Sequence, residues 1–386
     1  MKEYMRINKE YIIISGLWLH DNNRGTAALG YGAFSFLKEK GMIGSVIKCV
    51  NFRYVLNPFR KENRGVVKKH INVQGLEIEH HTVNVFKWEK MLFDVFGILL
   101  SFTLFSKYLH QIKFVTAING GDGFSDIYNT KTFLRRLDDI NIAMKLGIPL
   151  VILPQTIGPF QHQSNRQVAN RILKYADKIY VRDDKFVPEL QAMGLDYEQT
   201  KDLSYYMRPE PFDIDIKANA VGINVSGLAY SNTFRTFSGQ FDNYPYLIDR
   251  VISFFQSKNI PVYLIPHSYS YKQPETSNDD MVACRLAYKQ LKEKNNVYLV
   301  DQDLISPQIK YVISKMSYFI GTRMHANFAA IYTGVPLYGL AYSYKFEGAF
   351  KANGVYDSNV SMINNLTKND CDSIIESIGN HFQSHC

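Results

Sequence analysis

The chain has 386 residues, a length that suggests two domains, and it is 46% hydrophobic and 21% charged, close to ordinary globular usage. Its 44 Lys and Arg against 36 Asp and Glu leave a net charge of +8, which favours anionic partners such as phosphates, acidic glycans or an anionic bilayer face. No RNP, zinc-finger or basic-helix pattern accompanies that charge, so nucleic acid is not expected as a partner.

In chain order, the apolar run YIIIS (11–15) predicts a strand, followed by a polar turn at 20–26 and a helix that ends at Gly41. SVIKCV (45–50) predicts a second strand, whereas residues 51–90 are basic and carry no clear period. The apolar stretch MLFDVFGILLSFTLF (91–105) predicts a helix over 92–108. Asp94 interrupts the stretch, and the uncharged run after it is short of the ~20 residues a bilayer span needs. It reads either as a buried helix or as an in-plane contact with a membrane or lipid-borne acceptor, supported by Lys87, Lys90, Lys107 and Lys113. KFVTAI (113–118) predicts a strand running into NGGDGFSD, then a helix over 130–146, the strand IPLVILP, a helix over 164–176, the strand KIYVRD and a helix over 185–192. This alternation implies βαβ units and a parallel sheet covered on both faces.

The irregular stretch at 205–218, with two prolines, reads as a linker. The alternation then restarts: VGINVS (221–226), a helix over 244–257, PVYLIPHS, a helix over 279–293, NVYLV, a helix over 306–315, YFIG, a helix over 323–333 closed by Gly334, and VPLYGLAY. The predicted fold is α/β with two Rossmann-like domains, 1–208 and 209–359, facing across a cleft. A C-terminal helical segment, 360–386, is expected to return onto the N-terminal domain. The four cysteines, Cys49, Cys284, Cys371 and Cys386, lack CxxC spacing, so neither a metal site nor a disulfide framework is expected. The N-terminus carries no signal-peptide pattern, and the expected location is the cytoplasm, at the inner face of the membrane if the apolar stretch touches lipid.

Ligands of open parallel sheets bind beyond the carboxyl ends of the strands. Four polar clusters fall at such ends: Asn22, Asn23, Arg24 and Gly25; Asn119, Gly120, Gly121 and Asp122; His267 and Ser268; and Thr322, Arg323 and His325. The paired glycines Gly120 and Gly121 would expose N–H groups to an anion, unless they serve only a tight turn. Asp122 would orient a sugar hydroxyl or accept its proton, and Asp126 reads as a helix cap. Thr322 would cap the next helix, Arg323 would give two parallel hydrogen bonds to a phosphate or carboxylate, and His325 would exchange a proton near neutral pH. The bland alternative for that pair is an arginine matched to a structural carboxylate beside a core histidine. Lys345 and Glu347 lie just past the last strand, where they either reach the site or face solvent, and Arg182 and Asp183 read as a turn pair.

On these residues the chain resembles the polysaccharide pyruvyl transferase family. The resemblance runs through Asn22 to Leu29, NGGDGFSD, LPQTIGPF (153–160), Val181 to Asp183 and Pro266–His267, and is most specific from Thr322 to Pro336, with Tyr342 and Lys345 beyond. It implies a glycosyltransferase B type of fold, phosphoenolpyruvate as co-substrate without a further cofactor, and a sugar diol or lipid-linked oligosaccharide as acceptor. It implies a donor site at Thr322, Arg323, His267 and Lys345, and an acceptor site at Asn22, Asn23, Arg24, Gly120 and Gly121. Catalytic roles fall to Arg323, to His325 as acid, and to Asp122 or His267 as base. Thr26 stands where many members carry an acidic residue, and Asp122 where some carry a third glycine. Two other functions fit the same pattern: a nucleotide-sugar glycosyltransferase, and a non-catalytic assembly protein of a glycan pathway.

Overall fold

The computed structural model describes residues 9–57, 60–343, 345–355 and 357–385; the side chains of residues 345, 347, 349 and 357 lie outside that description. The chain divides into two compact units, residues 1–17 with 29–206, and residues 18–28 with 207–386.

The first unit contains β1 (Tyr11–Ser15), most of α1 (Arg24–Glu39), β2 (Val46–Val55), β3 (Val66–Val73), β4 (Leu76–Phe86), α2 (Lys87–Phe96), α3 (Leu104–Leu109) and β5 (Ile112–Ala117). It continues through α4 (Thr130–Arg135), α5 (Asp138–Leu146), β6 (Leu150–Gln155), α6 (Gln163–Tyr175), β7 (Lys178–Val181), α7 (Val187–Ala192), β8 (Glu198–Gln199) and α8 (Leu203–Tyr206). Its strands lie in the order β3-β4-β2-β1-β5-β6-β7-β8, parallel except for β3. β1 and β6 are buried along their whole length, as strands covered on both faces must be.

Three expectations are corrected by the structure. Residues 51–90, which showed no period, extend β2 and form the β3–β4 hairpin; exposed lysines on β3 blunt the sheet edge and hide the alternation. The helix expected over 92–108 begins at Lys87 and stops at Gly97, whose φ of 69° ends it in the left-handed region, and Thr103 starts α3 afresh by accepting the Ser106 N–H. The helix expected over 130–146 is two, with Asp138 and Asp139 in the first turn of the second, where acidic residues suit the helix dipole.

The second unit holds β9 (Val221–Asn224), α9 (Gly227–Ser231), α10 (Tyr244–Ser257), β10 (Val262–Leu264), α11 (Asp280–Gln290), β11 (Val297–Leu299), α12 (Ser306–Ser314), β12 (Tyr318–Gly321), α13 (Met324–Ile331), β13 (Leu337–Ala341), α14 (Lys345–Lys351), β14 (Val360–Met362) and α15 (Lys368–His385). The parallel order β11-β10-β9-β12-β13-β14 is that of a dinucleotide-fold sheet, and its direction reverses between β9 and β12. Alternate residues feed two cores: Val262, Leu264, Tyr318 and Ile320 enter one, and Tyr263, Ile265 and Phe319 the other. The C-terminal helix α15 belongs to the second unit. It packs on α10, and its Ile374, Ile375 and Ile378 lie in the same core as Leu247, Val251 and Phe255.

Candidate active site at the switch point of the second sheet

β9, β10 and β12 end side by side, and each delivers polar atoms to one place. The centre is Asp280, the first residue of α11 and fully buried. Its carboxylate accepts hydrogen bonds from the backbone N–H of Gly227 (2.8 Å), His267 (3.1 Å) and Ser268 (2.9 Å), and from Asn224 Nδ2 (3.3 Å). It also receives Arg323 Nη2 at 2.7 Å and Nε at 3.1 Å. Asn278 adds a carbonyl and a side-chain oxygen to the same Arg323 Nη2, at 3.1 and 2.7 Å. Burial alone would lower the affinity of this guanidinium for its proton, but Asp280 and Tyr342 reverse the effect and raise it. Arg323 is thus a fixed, permanent cation, held by a structural carboxylate at the start of α13.

Thr322 does not cap that helix. Its buried hydroxyl pairs with Tyr244 Oη at 2.7 Å, and Arg323 is the N-cap, its backbone N–H given to Asn224 Oδ1 at 2.8 Å. His325 lies in the first turn of α13 and packs edge-on to Phe328, with ring centroids 5.6 Å apart. Its ring rests on Gly25: a Cβ there would stand 2.6 Å from His325 Nδ1. His267 is buried, and burial pushes it well below the usual imidazole range, aided by His325, Arg323 and Arg24. It is therefore held as a neutral ring. Ser226 Oγ, at the end of β9, is buried with no hydrogen-bond partner among the described residues.

The segment 18–28 belongs to this unit, so Asn22, Asn23, Arg24 and Gly25 lie with β10 and β12. Arg24 stands 4.3 Å from the centre of the Tyr269 ring and gives hydrogen bonds to the carbonyls of Leu304 (2.7 Å), Asp21 (2.9 Å), Asn22 (3.1 Å) and Tyr269 (3.3 Å), with Asp303 at 3.1 Å. The Arg24 N–H meets His267 O, the Tyr269 N–H meets Asn22 O, and Asn23 bridges to Ser268. Arg24, expected at the acceptor, acts here as the clamp that holds its own segment against β10. Beside it lies a pocket of about 480 Å³ lined by residues that include His20, Asp21, Tyr271, Lys272 and Asp303.

Gly120, Gly121 and Asp122 lie in the first unit, after β5. Asn119, Gly120 and Gly121 have φ of 48°, 67° and 82°, so the turn needs its glycines. The Gly121 N–H, expected to face an anion, instead closes the turn on Ile118 O at 2.9 Å. Asp122 accepts from Tyr128 Oη at 2.9 Å. Arg182 does more than close a turn with Asp183: it crosses to Asp202 at 2.6 Å and lies against Gly121. Asp126 does not cap the helix that follows it, where Asn129 accepts the Thr132 N–H; it accepts the N–H groups of Gln161 and His162, just before α6. Burial raises its carboxyl, yet those bonds and Asn165 outweigh burial and hold it low. The Lys345 side chain lies outside the described residues.

Sequence reasoning missed Asp280, Asn224 and Asn278. The signal was present in Asn224, a polar residue inside the buried run VGINVS, and in the pair Asp279–Asp280, where only Asp279 is needed as the N-cap of α11, accepting the Val282 N–H at 3.0 Å.

A search of curated protein sequences returned no match. Among solved structures, a Listeria monocytogenes protein described as a "putative UDP-N-acetylglucosamine 2-epimerase" aligns over 96% of this chain and 88% of its own, with 11% identity and a TM-score of 0.54. The UDP-GlcNAc 2-epimerase of Neisseria meningitidis, bound to UDP-GlcNAc, aligns over 96% and 91%, with 10% identity and a TM-score of 0.49. At such identity the likeness speaks for the fold alone, an α/β architecture of two largely parallel sheets of the glycosyltransferase B type. Residues 23–344 match the family model described as polysaccharide pyruvyl transferase, and with that match over most of its length the chain belongs to the polysaccharide pyruvyl transferase family of transferases.

Proposed function

We propose that the protein transfers pyruvate from phosphoenolpyruvate to a sugar diol, free or lipid-linked, as a ketal during surface-polysaccharide synthesis on the cytoplasmic side of the membrane. The observation that carries this reading is the placement of Arg323, His325 and His267 together at the switch point of the second sheet, inside the span matched by the family model.

The chemistry asks for anion binding, one acid and one base. Arg323, oriented by Asp280 and Asn278, faces the charge of phosphate or carboxylate, and the α13 N-terminus adds its own N–H groups. His325 gives a proton to C3 of the enol as a sugar hydroxyl oxygen bonds to C2. The hydroxyl proton goes to Asp122 or His267, the two candidate bases; the burial that keeps His267 neutral at rest also makes it a weaker base than a free imidazole. The second hydroxyl then bonds to C2 as the C2–O bond to phosphate breaks, phosphate leaving with the electron pair. One hydroxyl proton balances the one given to C3 and the other leaves with phosphate. The fixed cation acts throughout as preorganised electrostatic stabilisation.

The test is acceptor-dependent release of inorganic phosphate from phosphoenolpyruvate, assayed over a panel of sugars and lipid-linked oligosaccharides, with nucleotide-sugars as a parallel donor set. Wild type should release phosphate and His325→Ala should lose turnover far more than acceptor binding. Consumption of a nucleotide-sugar, with phosphoenolpyruvate inert, would make this a glycosyltransferase; inertness toward every donor would favour an assembly protein.

A further inference from the structure

Seven of the seventeen large hydrophobic residues exposed among the described residues fall between Trp88 and Leu104. They arise from two local features of the first unit. In α2, Phe93 is buried with Glu89 and Lys90, which commits one face to the unit's core. Trp88, Met91 and Val95 recur at i, i+3 and i+7, so they form a second apolar stripe, and this one is exposed. Phe96 extends it at 66% exposure. Gly97 then turns the chain into the segment that carries Ile98 and Phe102, the latter 83% exposed, before Thr103 opens α3. A helix apolar on both faces, joined to an apolar loop, is not what a water-facing surface selects.

The charges around the patch favour one occupant. Lys87 beside Trp88 and Lys107 in α3 are both exposed. The acidic group on the same helix is neutralised from within: Asp94 takes Lys90 at 2.6 Å, with Lys145 at 3.9 Å, and Lys90 also holds Asp138 at 2.7 Å. Glu89 is buried and bonds back to the Phe86 N–H at 3.3 Å. The face therefore presents apolar and aromatic side chains rimmed by cations. That is the chemistry of a helix lying in the headgroup region of an anionic bilayer, with Trp and Lys at the level where apolar and polar phases meet. No helix among the described residues is long and apolar enough to cross a membrane, so the contact has to lie in the plane.

We propose that α2 and the loop after it form a peripheral docking face for an anionic lipid surface, with Trp88, Met91, Val95, Phe96, Ile98 and Phe102 entering the interface and Lys87 and Lys107 meeting the headgroups. This holds whichever group the enzyme transfers, and its test reads no turnover.

The full chain is sedimented with vesicles of phosphatidylcholine alone or mixed with phosphatidylglycerol, in about 0.1 M salt, where exposed charges more than ~10 Å apart are largely screened. Wild type should co-sediment with the anionic vesicles. Phe96→Ser combined with Phe102→Ser should lower partitioning at least about tenfold, because two aromatic side chains leave the interface. Both sites are exposed, and an unchanged thermal melt would confirm folding of the variant. Lys87→Gln with Lys107→Gln should weaken binding to anionic vesicles. The chain has two tryptophans, Trp18 and Trp88, so Trp18→Phe isolates Trp88, whose fluorescence should be quenched by brominated lipid. Equal sedimentation of wild type and the phenylalanine variant, or an unquenched Trp88, would overturn the proposal. So would a concentration-dependent dimer that the phenylalanine variant abolishes without any vesicle binding, which would assign the face to a second copy.

Discussion

Asp280 gathers hydrogen bonds from Asn224, Gly227, His267, Ser268 and Arg323, five groups that converge from the ends of β9, β10 and β12. Replacing it by alanine would strand a largely buried guanidinium and three backbone N–H groups. Loss of one partner of such a pair costs about 3–5 kcal/mol, and Asp280→Ala should show it as a lower midpoint in urea. His267 sets a pH dependence of definite sign. Its folded-state affinity for a proton lies well below the ordinary imidazole value of 6.5, so below that pH the unfolded chain takes up a proton that the folded chain refuses. The stability contribution is therefore complete above pH 6.5 and falls as pH drops toward the depressed value, by at most about 1.4 kcal/mol per pH unit. Urea titrations of His267→Gln against wild type between pH 7 and about 5 should show a shallower slope in the variant. His80 and His381 are also lowered by burial and remain in both proteins, so the difference isolates His267. At Gly25, a new methyl would meet the His325 ring at 2.6 and 2.8 Å and its Cβ at 2.9 Å. Gly25→Ala should displace that ring, cutting kcat about tenfold or more while the melting temperature moves little, since small misplacement of a reacting group is costly.

At the scale of elements, the close approach of α1 to α8 depends on one residue. A Cβ on Gly32 would overlap the carbonyl of Leu203, which is backbone and cannot swing aside, whereas Gly44 faces open space. Gly32→Ala should cost about 1–3 kcal/mol or more, and Gly44→Ala, the matched control, should leave the urea midpoint almost unchanged. The strands on which these helices rest were the legible part of the sequence: YIIIS, VILP and VYLI are short apolar runs because both sheet faces are covered. The β3–β4 hairpin was not legible, since an edge strand with exposed Val67, Lys68, Lys69 and His70 has no buried face to print a period. The apolar stretch at 91–105 misled about length for a related reason. Its hydrophobicity serves two faces and a loop, and only Gly97 marks where the helix ends.

For the whole molecule, a linear reading misplaces the membership of residues 18–28. The pattern that revealed strand, helix and turn gives a boundary near 208, yet these eleven residues are integral to a unit whose remainder begins at 207. Nothing local announces this, because Arg24 and its partners Tyr269 and Leu304 are 245 and 280 positions apart. The polar clusters were legible as residue types, since Arg323, His325 and His267 break apolar runs. Which of them were spoken for was not legible, as the partners lie at other strand ends. Contacts closed over such a separation cost loop entropy. The second unit should accordingly depend on Arg24 for local order around β10. Arg24→Leu keeps much of the apolar stem over Tyr269 but withdraws hydrogen bonds to four carbonyls and the pairing with Asp303. Asn22 O keeps the Tyr269 N–H and Leu304 O keeps the Tyr269 hydroxyl, so the loss falls mainly on the Tyr269 carbonyl, where a buried acceptor without a donor costs about 1–3 kcal/mol, and the docked segment should open more often. Hydrogen exchange on the full-length variant should then quicken at the Tyr269 amide, whose acceptor is Asn22 O, and at residue 24, whose acceptor is His267 O, while Ile223 and Ile265 inside the sheet keep their protection. Equal protection at Tyr269 in variant and wild type would mean that the backbone pairing at Asn23 and Ser268 holds the segment without the guanidinium, and that Arg24 is available for another role.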